Sequence, residues 1–174
     1  MLALKTNVHI WKEPILEQLD ILLSNNNFTL IDLNWENYEL LEDKQHFTLN
    51  GYKKFCTDLV NKISDLNFNN NNIFIYADST IDYLNWDSNI YNNFANNYLI
   101  NLLKKKNFNA EIDAISGSGF INLNNINKHF RARYINNYKH DKKSIILIIG
   151  GWNDNKYNLN RLSNSIKSFK NLLT

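Results

Sequence analysis

The apolar positions of this sequence fall into two kinds of segment, short continuous runs and longer stretches at helical spacing. The short runs predict strands at 28–33, 73–77, 110–115 and 144–149, and a further short strand at 2–6. The helical spacing predicts helices at 14–23, 52–63, 90–106, 126–138 and 158–173. Strands that alternate with helices are typical of a parallel sheet covered on both sides. The pattern therefore predicts a three-layer α/β domain with a central parallel sheet.

Composition and charge narrow the classes of function. The chain has 174 residues and 20.5 kDa, which fits a single domain with a real core. A formal net charge of +2 gives no reason to expect a nucleic-acid partner. The single cysteine, Cys56, excludes an internal disulfide and a cysteine-rich zinc site. No apolar run is long enough to span a membrane, and residues 1–14 lack the apolar core of a secretory signal, so we expect a cytoplasmic protein.

Polar residues collect in the loops that follow the predicted strands. The carboxyl ends of parallel strands meet at one edge of a sheet, and function concentrates in the loops there. Four such segments carry chemistry: Asp78-Ser79-Thr80, Ser116-Gly117-Ser118-Gly119, Gly150 to Asp154, and Asp43 to Tyr52. We therefore expect these four segments to lie near one another.

Together the four segments contain the groups of an acyl-transfer site. A serine hydroxyl needs an imidazole within hydrogen-bond reach and a third group that orients the imidazole. Ser79 is the candidate nucleophile, His46 the base, and Asp43, three residues before His46, the orienting carboxylate. An oxyanion would need donors, and the backbone N–H groups of Ser79 and Gly117 with the side-chain amide of Asn153 are candidates.

The same segments resemble the four sequence blocks of the SGNH (GDSL-type) hydrolases. The blocks are similar to Ala77-Asp78-Ser79-Thr80, to Gly117 after Ile115, to Gly151-Trp152-Asn153-Asp154, and to Asp43, His46, Gly51 and Tyr52. The resemblance implies a flavodoxin-like fold and ester hydrolysis through an acyl-serine intermediate, without metal or cofactor. It also implies supporting roles for Asp78, Gly151 and Asp154.

The order of the blocks differs from that of the family. The Asp-x-x-His block, which comes last in the family, here precedes the serine block, and Ala77 stands where the family usually has glycine. The chain therefore resembles a circularly permuted member of the family. In this interpretation one domain spans 1–174: residues 1–65 match the family's C-terminal part, 66–72 form an exposed linker, and 73–174 match its N-terminal part.

Several functions agree with this interpretation. The short loops favour a small acyl ester, acetyl on a carbohydrate above all, and we expect a monomer acting on a small-molecule or glycan ester. A lipid-ester hydrolase, a thioester hydrolase and an acyltransferase would use the same triad. A non-catalytic carbohydrate-binding module on the same fold is the alternative from another class.

Some of these residues also have simpler interpretations. Asp78-Ser79-Thr80 fits a helix cap as well as a nucleophile turn. The basic residues of 128–143 are interpreted as a solvated helix face rather than a phosphate site. His129 is interpreted as a surface residue, and Trp86 and Trp152 either line a cleft or pack against the core.

Overall fold

The computed structural model describes most of the chain, with short gaps. The described residues are 2–6, 21, 23–25, 28–33, 35–43, 46–66, 68, 71–86, 94–121, 125–136, 144–150, 152–154 and 159–173. Within them, no helix is long and apolar enough to cross a lipid bilayer.

Five parallel strands form one sheet at the centre of the structure. They are β1 Leu2–Thr6, β2 Thr29–Leu33, β3 Asn72–Ala77, β4 Asn109–Ala114 and β5 Ile145–Ile149. Their order across the sheet is β2-β1-β5-β3-β4. The central strand β5 is buried at every position and pairs with β1 and β3. Because every pair is parallel, the loops that follow the strands leave the sheet at the same edge.

Helices cover both faces of this sheet. They are α1 Leu49–Asp65, α2 Ser79–Trp86, α3 Phe94–Lys105, α4 Phe130–Asn136 and α5 Leu159–Leu173. Successive strand residues point to opposite faces, so Ile75 joins a core with α1 and α3 while Tyr76 joins a second core with α4 and α5. Two cores of this kind explain why the strands are apolar on both sides, and they confirm the predicted α/β architecture with a parallel sheet flanked by helices.

The largest differences from the sequence-based elements concern two helices. The segment 90–106 contains a helix that is described from Phe94, and a separate short helix, α2, begins earlier at Ser79. The predicted helix 126–138 is broken into a 3-10 turn at Ile126–Lys128 and α4, with an extended backbone at His129 between them. The break allows Gly119 to form a parallel bridge with His129.

Candidate functional site

The segment between β2 and α1 forms a tight, backbone-paired turn. Leu41 N–H donates to the His46 carbonyl at 2.8 Å, and Thr48 N–H donates to the Glu39 carbonyl at 3.0 Å. Thr48 also caps α1, because its hydroxyl accepts from Gly51 N–H at 3.1 Å and donates to Glu39 Oε2 at 2.8 Å. These bonds join residues 39–41 to residues 46–48 and bring Asp43 close to His46.

Gly51 and Tyr52 attach this turn to the rest of the domain. A Cβ at Gly51 would lie 2.0 Å from the Glu39 carbonyl oxygen, so only glycine permits the turn to pack against α1. Tyr52 is buried and its hydroxyl donates to the Ala95 carbonyl of α3 at 2.8 Å. The Gly-Tyr pair therefore has a packing role beside His46.

At the tip of the turn, Asp43 and His46 form an ion pair. Asp43 Oδ2 lies 2.6 Å from His46 Nδ1, and Asp43 Oδ1 accepts the His46 backbone N–H at 3.0 Å. The His46 side chain is 18% exposed and that of Asp43 is 42% exposed. A carboxylate bound at Nδ1 fixes the ring and leaves Nε2 as the nitrogen that can exchange a proton.

Asp78 ends β3 and caps α2, whose first residue is Ser79. Asp78 Oδ1 accepts Thr80 N–H at 2.9 Å, and the Asp78 backbone N–H donates to the Ile149 carbonyl of β5 at 3.1 Å. Asp78 is almost fully buried, and Ser79 is half-buried. The cap interpretation of this tripeptide is therefore correct for Asp78, and it leaves Ser79 at the carboxyl edge of the sheet.

The pKa of Asp78 reflects this environment. Burial raises the pKa of its carboxyl group, while the hydrogen bonds to Thr80 and the positive charges of His46 and Arg133 act in the opposite direction. His46 thus lies within electrostatic range of Asp78, although β1 and β5 separate β2 from β3 in the sheet.

Asn153 joins the loops that follow β3, β4 and β5. Its Nδ2 donates to the Ser118 carbonyl at 2.9 Å and, over a longer distance of 3.3 Å, to Asp78 Oδ2. Ser118 directly follows Gly117, so the amide of Asn153 lies between two of the segments that carry candidate donors.

Gly117 is the turning point of the loop after β4. Its φ of +78° lies in the left-handed region, which favours glycine over residues with a Cβ. The loop is further fixed by Ser118 N–H, which donates to the Ile115 carbonyl at 3.1 Å, and by Ser116 N–H, which donates to Asp82 Oδ2 at 2.7 Å. The last bond ties this loop to α2 and so to Ser79.

Arg133 organises the carboxyl ends of β3 and β4. Its guanidinium donates to the Ala77 carbonyl at 3.1 Å, to Ser118 Oγ at 2.7 Å and to Asp113 Oδ2 at 3.0 Å, and also bonds the Asp113 carbonyl. Only 4% of its side chain is exposed. The interpretation of the basic segment as a solvated face is therefore wrong for Arg133.

A sequence signal for Arg133 existed. It stands three residues after the apolar residue Phe130, which is buried, and positions three apart share a helix face. The lysine and arginine residues around it obscured that signal.

His129 is also not a surface residue: it is half-buried, and Ser165 Oγ lies 3.3 Å from its Nε2.

The remaining supporting residues have different outcomes. Asp154 is buried, and its carboxylate accepts the backbone N–H groups of Phe120 at 2.9 Å and Ile121 at 2.8 Å. It thereby holds the chain that leaves the Gly117 loop. Gly151 lies outside the described residues, as do the side chains of Trp86 and Trp152.

The structure thus brings some of the candidate residues into contact and leaves others apart. Asp43 contacts His46, and Asn153 contacts Asp78 and the residue after Gly117. Among the described residues, no hydrogen bond joins Ser79 Oγ to His46. Contacts between a nucleophile and its base are often loose in the absence of substrate. The described part of the chain also contains no group of three or more His, Cys, Asp or Glu side chains that is placed to hold a metal ion.

Comparisons of the chain with protein-family models, with curated proteins and with solved structures found no match.

Proposed function

We propose that this protein is a serine ester hydrolase of the SGNH type. The observation that carries the proposal is the Asp43–His46 pair, with Nδ1 and Oδ2 2.6 Å apart, in the segment that follows the carboxyl end of β2, while Ser79 follows the carboxyl end of the parallel strand β3. Acyl transfer by a serine at the end of a strand needs an imidazole that a carboxylate orients. The favoured substrate is a small acyl ester, with acetyl on a carbohydrate as the first choice.

The strand order supports a flavodoxin-like fold in permuted form. Counting strands from β3, which precedes Ser79, makes β3, β4, β5, β1 and β2 the first to fifth strands. The order across the sheet then becomes 2-1-3-4-5, which is the flavodoxin-like order. The permutation therefore changes where the chain is cut and leaves the arrangement of strands intact.

The proposed reaction has two halves. Ser79 Oγ bonds to the carbonyl carbon of the ester while His46 Nε2 takes the hydroxyl proton, and Asp43 stabilises the resulting imidazolium. Collapse of the tetrahedral intermediate breaks the bond to the alcohol oxygen, which receives the proton from His46. Water then attacks the acyl-serine by the same route and releases the acid. With another alcohol in place of water, the same residues would transfer the acyl group.

The proposed oxyanion donors are the N–H groups of Ser79 and Gly117 and the amide of Asn153. Both hydrogens of Asn153 Nδ2 have acceptors, so an oxyanion would compete for one of them. The bond to Asp78 Oδ2, at 3.3 Å, is the longer and the weaker of the two. Asn153 is therefore expected to keep its bond to Ser118 and to exchange its bond to Asp78 for the oxyanion.

A labelling experiment tests the proposal. A fluorophosphonate should label the protein at Ser79, the label should be absent from Ser79→Ala, and the exposed control Ser24→Ala should be labelled like the wild type.

A kinetic experiment tests the same residues. With 4-nitrophenyl acetate as substrate, Ser79→Ala and His46→Ala should each lower kcat by about 10⁴-fold, and the double variant should be little worse because triad members act as a unit. Absence of label and of hydrolysis would favour the carbohydrate-binding module.

A further inference from the structure

Lys128 places a positive charge beside Gly117. Its ammonium Nζ lies 3.3 Å, and its Cδ 3.7 Å, from the position that a Cβ on Gly117 would occupy. The stem of the side chain therefore lies along the glycine, and the charge comes next to a backbone N–H that is a candidate oxyanion donor.

The backbone of Lys128 is held firmly in this position. Its N–H donates to the Asn125 carbonyl at 3.0 Å, and its carbonyl accepts Gly119 N–H at 3.2 Å. Phe130 N–H donates to the Gly119 carbonyl at 2.9 Å, so the 3-10 turn is bonded to the Gly117 loop on both sides of His129. These bonds fix the point of the backbone from which the Lys128 side chain extends towards Gly117.

The carboxylates of these loops are already engaged with other groups. Asp113 pairs with Arg133, Asp154 accepts two backbone N–H groups, and Asp82 accepts Ser116 N–H. Within the part of the chain that the structure describes, no carboxylate forms an ion pair with Lys128. Lys128 is half-buried, and within the described residues its ammonium has no carboxylate partner.

We infer that Lys128 selects ester substrates that carry a negatively charged group, a carboxylate or a phosphate, close to the reacting carbonyl. This inference rests on the proposed ester hydrolysis. The interaction is a charge–charge attraction at a partly desolvated position, where it is stronger than in bulk water. Lys128 would then be a specificity-determining residue of the site. The preferred substrates would be small acyl esters that carry an anionic group.

The test compares esters that differ only in charge. One pair is 4-nitrophenyl hydrogen fumarate and its neutral methyl ester, which place the charge on the acyl side and whose trans double bond prevents attack of the carboxylate on its own ester. The second pair is 4-acetoxybenzoate and its methyl ester, which place the charge on the alcohol side. The measured quantity is the ratio of kcat/KM for the anionic ester to that for its neutral partner.

Lys128→Gln should lower this ratio by about tenfold in at least one pair, mainly through KM, and added salt should reduce the wild-type ratio. Lys128→Arg should retain most of the ratio, and Lys167→Gln, on the exposed side of α5, should leave it unchanged. A ratio that Lys128→Gln does not alter, or an equal loss on both members of each pair, would overturn the inference while leaving the esterase in place. A wild type that hydrolyses none of the four esters would instead overturn the proposed function.

Discussion

At the scale of single residues, a few side-chain hydrogen bonds determine the geometry of the candidate site. Asp43 and His46 are joined through a spacing of three residues, which a tight turn brings within contact. That contact follows from the sequence alone, because both residues lie in one short segment. The helix spacing could have indicated that Arg133 is buried, but it could not indicate its partners, because they lie on β3, on β4 and in the loop after β4, which only the sheet brings together.

Asp78 gives a prediction about pH. Because burial raises its pKa in the folded state, the folded protein binds the proton more tightly than the unfolded chain, whose aspartates titrate near about 3.9. Its contribution to stability is therefore complete below the unfolded pKa and is lost as pH rises through the folded pKa. Relative to Asp78→Asn, the wild type should gain stability as the pH is lowered, by up to about 1.4 kcal/mol per pH unit.

Urea unfolding of both proteins between pH 8 and pH 4 measures this difference. The Asn variant is the matched control for every other titrating group, because only position 78 differs. A difference in unfolding free energy that stays constant with pH would contradict the raised pKa.

Arg133 gives a prediction about stability. Arg133→Met keeps much of the side-chain volume but removes the ion pair with Asp113 and the hydrogen bonds to Ser118 Oγ and the Ala77 carbonyl. A hydrogen bond to a charged group contributes about 1.5–3 kcal/mol, so a drop of a few kcal/mol in unfolding free energy is expected. Arg131→Met, on the same helix, is the control and should cost much less. Equal losses in the two variants would mean that the bonds of Arg133 contribute little.

At the scale of elements, the local pattern predicts the strands well and the helix ends less well. The run at 144–149 is apolar because β5 is covered on both faces of the sheet. Its local preference for a strand and its place in the tertiary structure therefore coincide. The helix predicted at 126–138 is broken at His129, because this residue bridges Gly119 from another loop. Local periodicity carries no information on such a partner, so the interruption could not be predicted.

The turn before α1 gives a prediction at this scale. Gly51→Ala places a Cβ 2.0 Å from the Glu39 carbonyl oxygen, so the turn must move away from α1 and take His46 with it. We expect kcat for ester hydrolysis to fall at least tenfold, because small displacements of a catalytic group are costly. Asn50→Ala, at an exposed position in the same helical turn, is the control and should retain activity. Full activity in Gly51→Ala would show that the packing of this turn does not determine the position of His46.

At the scale of the whole molecule, the proposed permutation distributes the site over two parts of one chain. Asp43 and His46 precede the linker at 66–72, while Ser79, Gly117 and Asn153 follow it. Within the expected linker, residues 67, 69 and 70 lie outside the described residues, Phe68 packs against the core, Asn71 is exposed and Asn72 already belongs to β3. The resemblance of the segments to the family's blocks predicts this division. The structure shows five parallel strands in a single sheet, to which both parts of the chain contribute strands, and this arrangement is not visible in the local sequence pattern.

The expected monomer is tested by mixing inactive variants. Ser79→Ala and His46→Ala are unfolded, combined and refolded together, and ester hydrolysis is measured. If each site is built within one chain, the mixture should stay inactive. A linker of several polar residues without evident rigidity should not force an exchange of parts between chains. Recovery of up to about a quarter of wild-type activity, as random pairing would give, would show sites built from two chains.

The pairing of β1 with β5 also bears on synthesis at the ribosome. Leu2 lies beside Leu147, so β1 is synthesised well before the central strand with which it pairs. Until residues 145–149 have emerged, β1 and β2 can form only a two-stranded ribbon, which is marginally stable in water. Contacts so distant in sequence also slow folding. Residues 1–65 therefore should not fold cotranslationally as a unit of their own, and the nascent chain depends on protection from aggregation until its central strand is complete.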